Sequence, residues 1–188
     1  MLKREARILG LSAARKGNKI IVVGIVFRGS SWLDGIVTSA VEGNERDYHS
    51  QIARTIMKSR QYSQLHAIIL RRDPLVRGWR TVLTELAREV NLPVIAIASS
   101  QGSRTHRSSQ IPTNSRRYDF TVKSNLIPVV VVGFKKDEAE QLFNVGCGRE
   151  GKIPEAVRVA DLVAREITHS LSPRRSAKAG EKSGQRRK

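Results

Sequence analysis

The chain has one cysteine, Cys147, in 188 residues, which excludes an internal disulfide and any zinc site built from a cysteine cluster. Acids are few: 17 Asp+Glu stand against 34 Lys+Arg, for a net charge of +17. No apolar run approaches the roughly 20 residues a membrane span needs. The N-terminal MLKREARILG places charges where the apolar stretch of a signal peptide would lie, so the expected location is cytoplasmic and no membrane partner is expected. Aromatics make up only 5% of the chain. Of these, Trp32 and Trp79 have a face able to stack on a base, although both read as packing residues. Hydrophobic residues nonetheless make up 39%, which excludes a wholly disordered polymer.

The positive charge is concentrated. From Ser172 to Lys188 there are seven Lys/Arg and one acid, Glu181, with Pro, Ser and Gly between them and no apolar period. The expected organisation is one folded domain over 1–171 and a disordered basic tail over 172–188. A second basic stretch, Ser99 to Lys123, holds Arg104, Arg107, Arg116, Arg117 and Lys123 against Asp119. Such surfaces attract polyanions, because each neutralised phosphate releases condensed counterions. DNA is the expected partner, with RNA as the alternative.

Lys19 to Arg28 (KIIVVGIVFR) is β-branched almost throughout and predicts a central strand buried on both faces. Strands are also expected at Glu5–Ala13 and Gly35–Glu42, and short links force the three into an antiparallel meander. A helix from Asp47 to about Arg60 follows, then a strand at Leu65–Leu70, a helix at Gly78–Val90 and a strand at Leu92–Ala98. Beyond a polar loop come strands at Tyr118–Lys123 and Ile127–Phe134, a helix at Lys136–Val145, and a last helix from Pro154 to about His169. Pro154 suits a first helical turn. A meander followed by crossover units predicts an α/β fold with a ribonuclease H-like mixed sheet and flanking helices.

Nucleases of that fold hold Mg²⁺ or Mn²⁺ with carboxylates, and the metal stabilises the attacking and leaving oxygens. The acids available are Asp34, Glu42, Asp47, Asp73, Asp119 and Glu155. Each also has an ordinary reading. Asp34-Gly35 suits a hairpin turn, Asp47 a helix cap, and Glu155 the first turn of a helix, with Arg158 one turn on. His66 opens a strand and reads as structural, while His106 is placed to meet a phosphate. Cys147 between glycines reads as inert, and Gly146-x-Gly148 lacks the residues of a phosphate loop.

Several segments resemble the endonuclease dU family, a relative of endonuclease V. They are Arg7-Ile8-Leu9-Gly10, Val23 to Ser30 with Trp32-Leu33-Asp34-Gly35, Val41-Glu42-Gly43 with Asp47, Leu92-Pro93-Val94-Ile95, and Ile153 to Ala160. The resemblance covers Leu2 to about Ser170. It implies a ribonuclease H-like fold and metal-dependent cleavage of DNA at deaminated bases, notably deoxyuridine. It also implies Asp34, Glu155 and Asp73 as catalytic candidates, with Asp34, Glu42 and Asp47 as candidate metal ligands.

The chain departs from the family pattern at Ser12 and Arg71, where the family has Asp. It also has Glu42-Gly43 for Asp-Gly and Gly78-Trp79-Arg80 for Gly-Phe-Asn. Ser12 removes an anionic ligand, and Arg71 puts a guanidinium where a metal would sit. The alternative expectation is therefore a nucleic-acid-binding member without catalysis, or an assembly factor docking on RNA. In that reading Arg28, Arg71, Arg72, Arg77, Arg80, Arg104, Arg107, Arg116, Arg117 and Arg158 grip phosphates.

Overall fold

A computed structural model describes residues 5–16, 19–42, 48–71, 79–98, 115–148 and 151–170. Seven strands form one sheet: β1 (Arg7–Lys16), β2 (Lys19–Arg28), β3 (Trp32–Glu42), β4 (Leu65–Arg71), β5 (Val94–Ile97), β6 (Ser115–Val122) and β7 (Asn125–Val132). Four α-helices accompany them: α1 (Tyr48–Met57), α2 (Trp79–Val90), α3 (Lys136–Gly146) and α4 (Glu155–Ser170). The strand order is β3-β2-β1-β4-β5-β7-β6. β2 runs antiparallel to both of its neighbours, β1 and β3, whereas β1, β4 and β5 run parallel. This is the expected ribonuclease H-like arrangement, extended by an antiparallel β6–β7 hairpin paired to β5.

The inner strands β1, β2, β4 and β5 are largely buried on both faces, with alternate side chains directed to opposite sides of the sheet. Leu9 and Leu11 of β1 join Ile52 and Ile56 of α1 and Leu83 and Leu86 of α2 in one core. Ile8 joins Leu142 and Phe143 of α3 and Ala156 and Val157 of α4 in the other. α4 then continues over β2, where Ala160 and Ala164 meet Val23 and Ile25. The result is three layers, with α1 and α2 on one side of the sheet and α3 and α4 on the other.

Two local expectations give way. The β2–β3 turn is at Gly29–Ser31, with Gly29 at φ +60° donating its N–H to the Ala6 carbonyl at 2.9 Å. Asp34-Gly35 therefore lies inside β3, where the register against β2 shifts between Val26 and Phe27. A bulge there absorbs one extra residue. Trp32 is not a packing residue; it is 73% exposed, because it opens the outermost strand. His66 is likewise exposed, and its Nδ1 accepts the Arg7 N–H at 3.2 Å. The proposed tail and the loop carrying Arg104, His106 and Arg107 lie outside the described residues.

Candidate nucleic-acid interface

In open α/β sheets, ligands meet the carboxyl edge of the parallel strands. Here that edge is built by β1, β4 and β5. Leu11 pairs with Leu70, and Arg71 with Ile97, so Ser12 and Arg71 are the next residues along their strands. Both share the parity of Ile8 and Ile69, whose side chains face α4. Residue parity thus directs Ser12 and Arg71 to the α4 side of the sheet.

α4 can lie this close because β1 carries Gly10 beneath it. A Cβ at Gly10 would sit 2.2 Å from the Ala156 carbonyl carbon and 2.4 Å from the Val157 nitrogen. From this contact the helix runs toward Ala14 and brings Asp161 over the end of β4. Arg71 Nη1 meets Asp161 Oδ2 at 3.1 Å, with the Asp161 side chain 15% exposed and that of Arg71 44%. One side of the Arg71 guanidinium is therefore held by a half-buried carboxylate, and the other is open to solvent. Sequence reasoning did not single out Asp161. Its signal lies in spacing, because Val157, Ala160, Asp161 and Ala164 fall on one helical stripe, and an acid there points at the sheet.

The other acids are dispersed. Asp34 lies at the opposite end of β1, about 17 Å along the strand from Ser12 at the usual rise per residue. Its Oδ2 accepts from Arg7 Nε at 2.6 Å and its Oδ1 from Arg28 Nη2 at 3.3 Å, so both oxygens are taken by guanidinium groups. Glu42 ends β3, roughly 27 Å along the strand from Asp34, so the two do not come together. Glu155 starts α4 and accepts from Arg158 Nε at 2.7 Å. Arg116, Arg117 and Asp119 lie on β6, at the far edge of the sheet. Asp47, Arg72, Asp73 and Arg77 fall outside the described residues, and Arg80 lies in the first turn of α2. Among the described residues no three His, Cys, Asp or Glu side chains are grouped to hold a metal ion. Among the described residues, the side chains at the carboxyl edge do not fit a divalent cation, since one is a hydroxyl, one an arginine, and the carboxylate is already paired.

The Asp34 carboxyl is held below its ordinary value of 3.8, chiefly by the hydrogen bond from Arg7 and then by the charges of Arg7 and Arg28, against a raising effect of burial. A lowered folded-state value means that the stabilisation is complete above about pH 4 and disappears as pH falls through that value. Asp34→Asn should therefore cost about 1 kcal/mol at neutral pH, a modest figure because the pair is partly exposed and screened. Chemical denaturation of both proteins from pH 7 down to pH 2 should show the difference vanishing at the acid end. A gap that persists at pH 2 would assign the effect to packing instead. The Cys147 thiol is buried and pushed up to about 12 by desolvation, so it is not a nucleophile at neutral pH.

No described helix is long and apolar enough to cross a membrane. The sequence pattern of endonuclease dU matches residues 4–168. A UPF0215 protein of Methanosarcina mazei is 31% identical over 185 residues, covering 89% of this chain and 93% of the relative. A protein of unknown function from Archaeoglobus fulgidus superposes with a TM-score of 0.67 at 21% identity, over 87% of this chain and 99% of that one. Endonuclease V of Ciona intestinalis, solved with a 24mer DNA containing an inosine followed by a ribo-adenosine, gives a TM-score of 0.56 at 11% identity, over 88% of this chain and 87% of that one. The fold is thus similar to that of endonuclease V, and the chain belongs to the endonuclease dU family.

Proposed function

We propose that this protein binds nucleic acid, with DNA as its first ligand, across the carboxyl edge of β1, β4 and β5, and that it does so without metal-dependent cleavage. The observation that carries this reading is the Arg71–Asp161 pair beside Ser12. An arginine there is a fixed cation that needs no assembly of carboxylates, and its planar fork suits a phosphate. Asp161 occupies one side of the guanidinium, and the exposed side faces solvent, where a backbone oxygen can approach. Arg158, exposed on the same helix, extends the positive surface along α4. The net charge of +17 supplies the long-range attraction. Support also comes from family membership and from the DNA complex of the Ciona endonuclease V.

The deciding experiment incubates the protein with single- and double-stranded oligonucleotides containing deoxyuridine, with and without Mg²⁺ or Mn²⁺, and records binding and incision on the same samples. Binding without incision in either metal is the expected result. Metal-dependent incision that disappears in Asp34→Ala would instead establish the endonuclease reading, with carboxylates gathered from elsewhere in the chain. An RNA of the same length serves as the third arm, and tighter binding to it would move the ligand from DNA to RNA.

A further inference from the structure

The two edges of the sheet are treated differently, and the difference implies a partner. β6, at one edge, carries Arg116 and Arg117 in its 8 residues. Its Thr121 N–H donates to Glu140 Oε1 at 2.7 Å and its Thr121 carbonyl accepts from Asn144 Nδ2 at 3.4 Å, both from α3. Cations and side-chain caps of this kind are how natural sheets prevent another strand from adding to an edge.

β3, at the other edge, carries no cation, and its bulge and side-chain cap both lie at Asp34, near one end of the strand. Its 11 residues, WLDGIVTSAVE, contain no Lys, Arg or Pro, in a chain with 34 Lys+Arg. At its start the Asp34 carbonyl accepts from Gln61 Nε2 at 3.3 Å. Beyond it, no strand lies outside β3 among the described residues.

The α4 side of this edge is also apolar. Leu33 pairs with Phe27 and Ile36 with Ile25, and both partners pack toward α4. Leu33 is 56% exposed, Ile36 58% and Leu162 of α4 49%. A shallow groove of about 450 Å³, lined by Leu162, Val163, Glu166, Ile167 and Ser170, runs along the flank of α4 opposite Asp161 and so toward β3. Among the described residues, neither β3 nor the lining of this groove contributes a Lys or Arg.

The geometry points to a second copy of this chain as the occupant, paired antiparallel through β3 to make a continuous 14-stranded sheet. Charge selects the surface. Two copies each carrying +17 repel everywhere their cations meet, and β3, whose only charged residues are the acids Asp34 and Glu42, is a place where they need not. Symmetry selects the mode. A two-fold axis normal to the sheet sets β3 against itself and brings Leu33, Ile36 and Leu162 of both copies to the same face. The guarded β6 edge opposes β3–β6 growth, so the association closes at two instead of extending as a filament. An 11-residue strand offers roughly 35 Å of main-chain pairing, the same interaction that anchors peptides added to sheet edges.

The test uses the full chain, freed of nucleic acid and held at high salt so that charge repulsion and polyanion bridging are both suppressed. Sedimentation equilibrium from low to high micromolar concentration should give twice the chain mass, and hydrogen exchange should slow at β3 amides, but not at β6 amides, as the dimer fills. Ile36→Lys with Thr38→Lys, both at exposed positions on the α4 side, should give a monomer with unchanged circular dichroism. If that double variant does not fold, Thr38→Lys alone reads the same equilibrium. The proposal is overturned by a wild-type monomer at every concentration, by a dimer that survives the lysines, by growth beyond two copies, or by a dimer that needs added nucleic acid. It is equally overturned if β3 amides are already slow in the monomer, since another segment of the chain would then cover the strand.

Discussion

Replacing Gly10 with alanine should lower the folding free energy by about 3 kcal/mol, the upper end of the usual cost of overpacking. The added methyl group would meet backbone, not a side chain that can turn away: the Ala156 carbonyl carbon at 2.2 Å, its oxygen at 2.4 Å and the Val157 nitrogen at 2.4 Å. Relief requires α4 to lift from β1, and α4 supplies Ala156, Val157, Ala160 and Ala164, each at most 2% exposed, to two cores. Gly24→Ala is the matched control. Its Cβ would meet only side-chain atoms, those of Leu9, Leu11 and Val37 at 3.0–3.4 Å, and the two leucine ends can shift, so about 1 kcal/mol is expected. Urea denaturation of the two variants decides the matter. A Gly10→Ala protein within 1 kcal/mol of wild type would mean that α4 does not rest on β1 in solution.

That contact also bears on the site. Lifting α4 carries Asp161 away from Arg71, so a variant that merely adds a methyl group beneath the helix should loosen the carboxyl edge from a distance. Far from being a passive layer, the helix sets which groups meet at the end of β4.

Much of this architecture is legible in the chain, because burial on both faces leaves a plain mark. KIIVVGIVFR reads as β2 with the bounds the structure has, since an unbroken β-branched run of that length fits little else. The last helix is announced by Pro154 and by its apolar spacing. The start of β3 is less legible, because Trp32 and Leu33 belong to the strand although both are exposed, and Asp34-Gly35 has the composition of a turn.

The site is the least legible part. Arg71 and Asp161 are 90 residues apart, and nothing local to either names the other. The pair emerges only when the stripe of α4 is laid against the parity of β4. Asp34 has the opposite history. It stands in a segment that resembles the endonuclease dU family, yet β1–β2 pairing sets Arg7 opposite Arg28, and both reach the same carboxylate. A pairing register two strands away thus decides what an acid on β3 can do.

The affinity of the protein for an oligonucleotide should fall by about 10³-fold or more between 50 and 200 mM salt, the loss expected when roughly six or more phosphates are neutralised. Arg71→Ala should make that dependence shallower by about one contact and weaken binding at all sequences alike. The direction for Asp161 is the sharper expectation. Its carboxylate competes with phosphate for the guanidinium at 3.1 Å, so Asp161→Ala frees a cation at the edge and should tighten binding several-fold. Removing only the arginine leaves that acid, 15% exposed, unpaired beside the path of a polyanion. The double variant should therefore bind better than Arg71→Ala alone, and a double-mutant cycle reads how far the two changes depart from additivity. Fluorescence anisotropy across a salt series, with thermal melts to confirm folding, supplies all four corners of the cycle. Salt-independent binding would remove the phosphate-gripping edge altogether. Weaker binding by a folded Asp161→Ala would show that the acid engages the ligand through something other than repulsion, with a bridging cation as the first candidate.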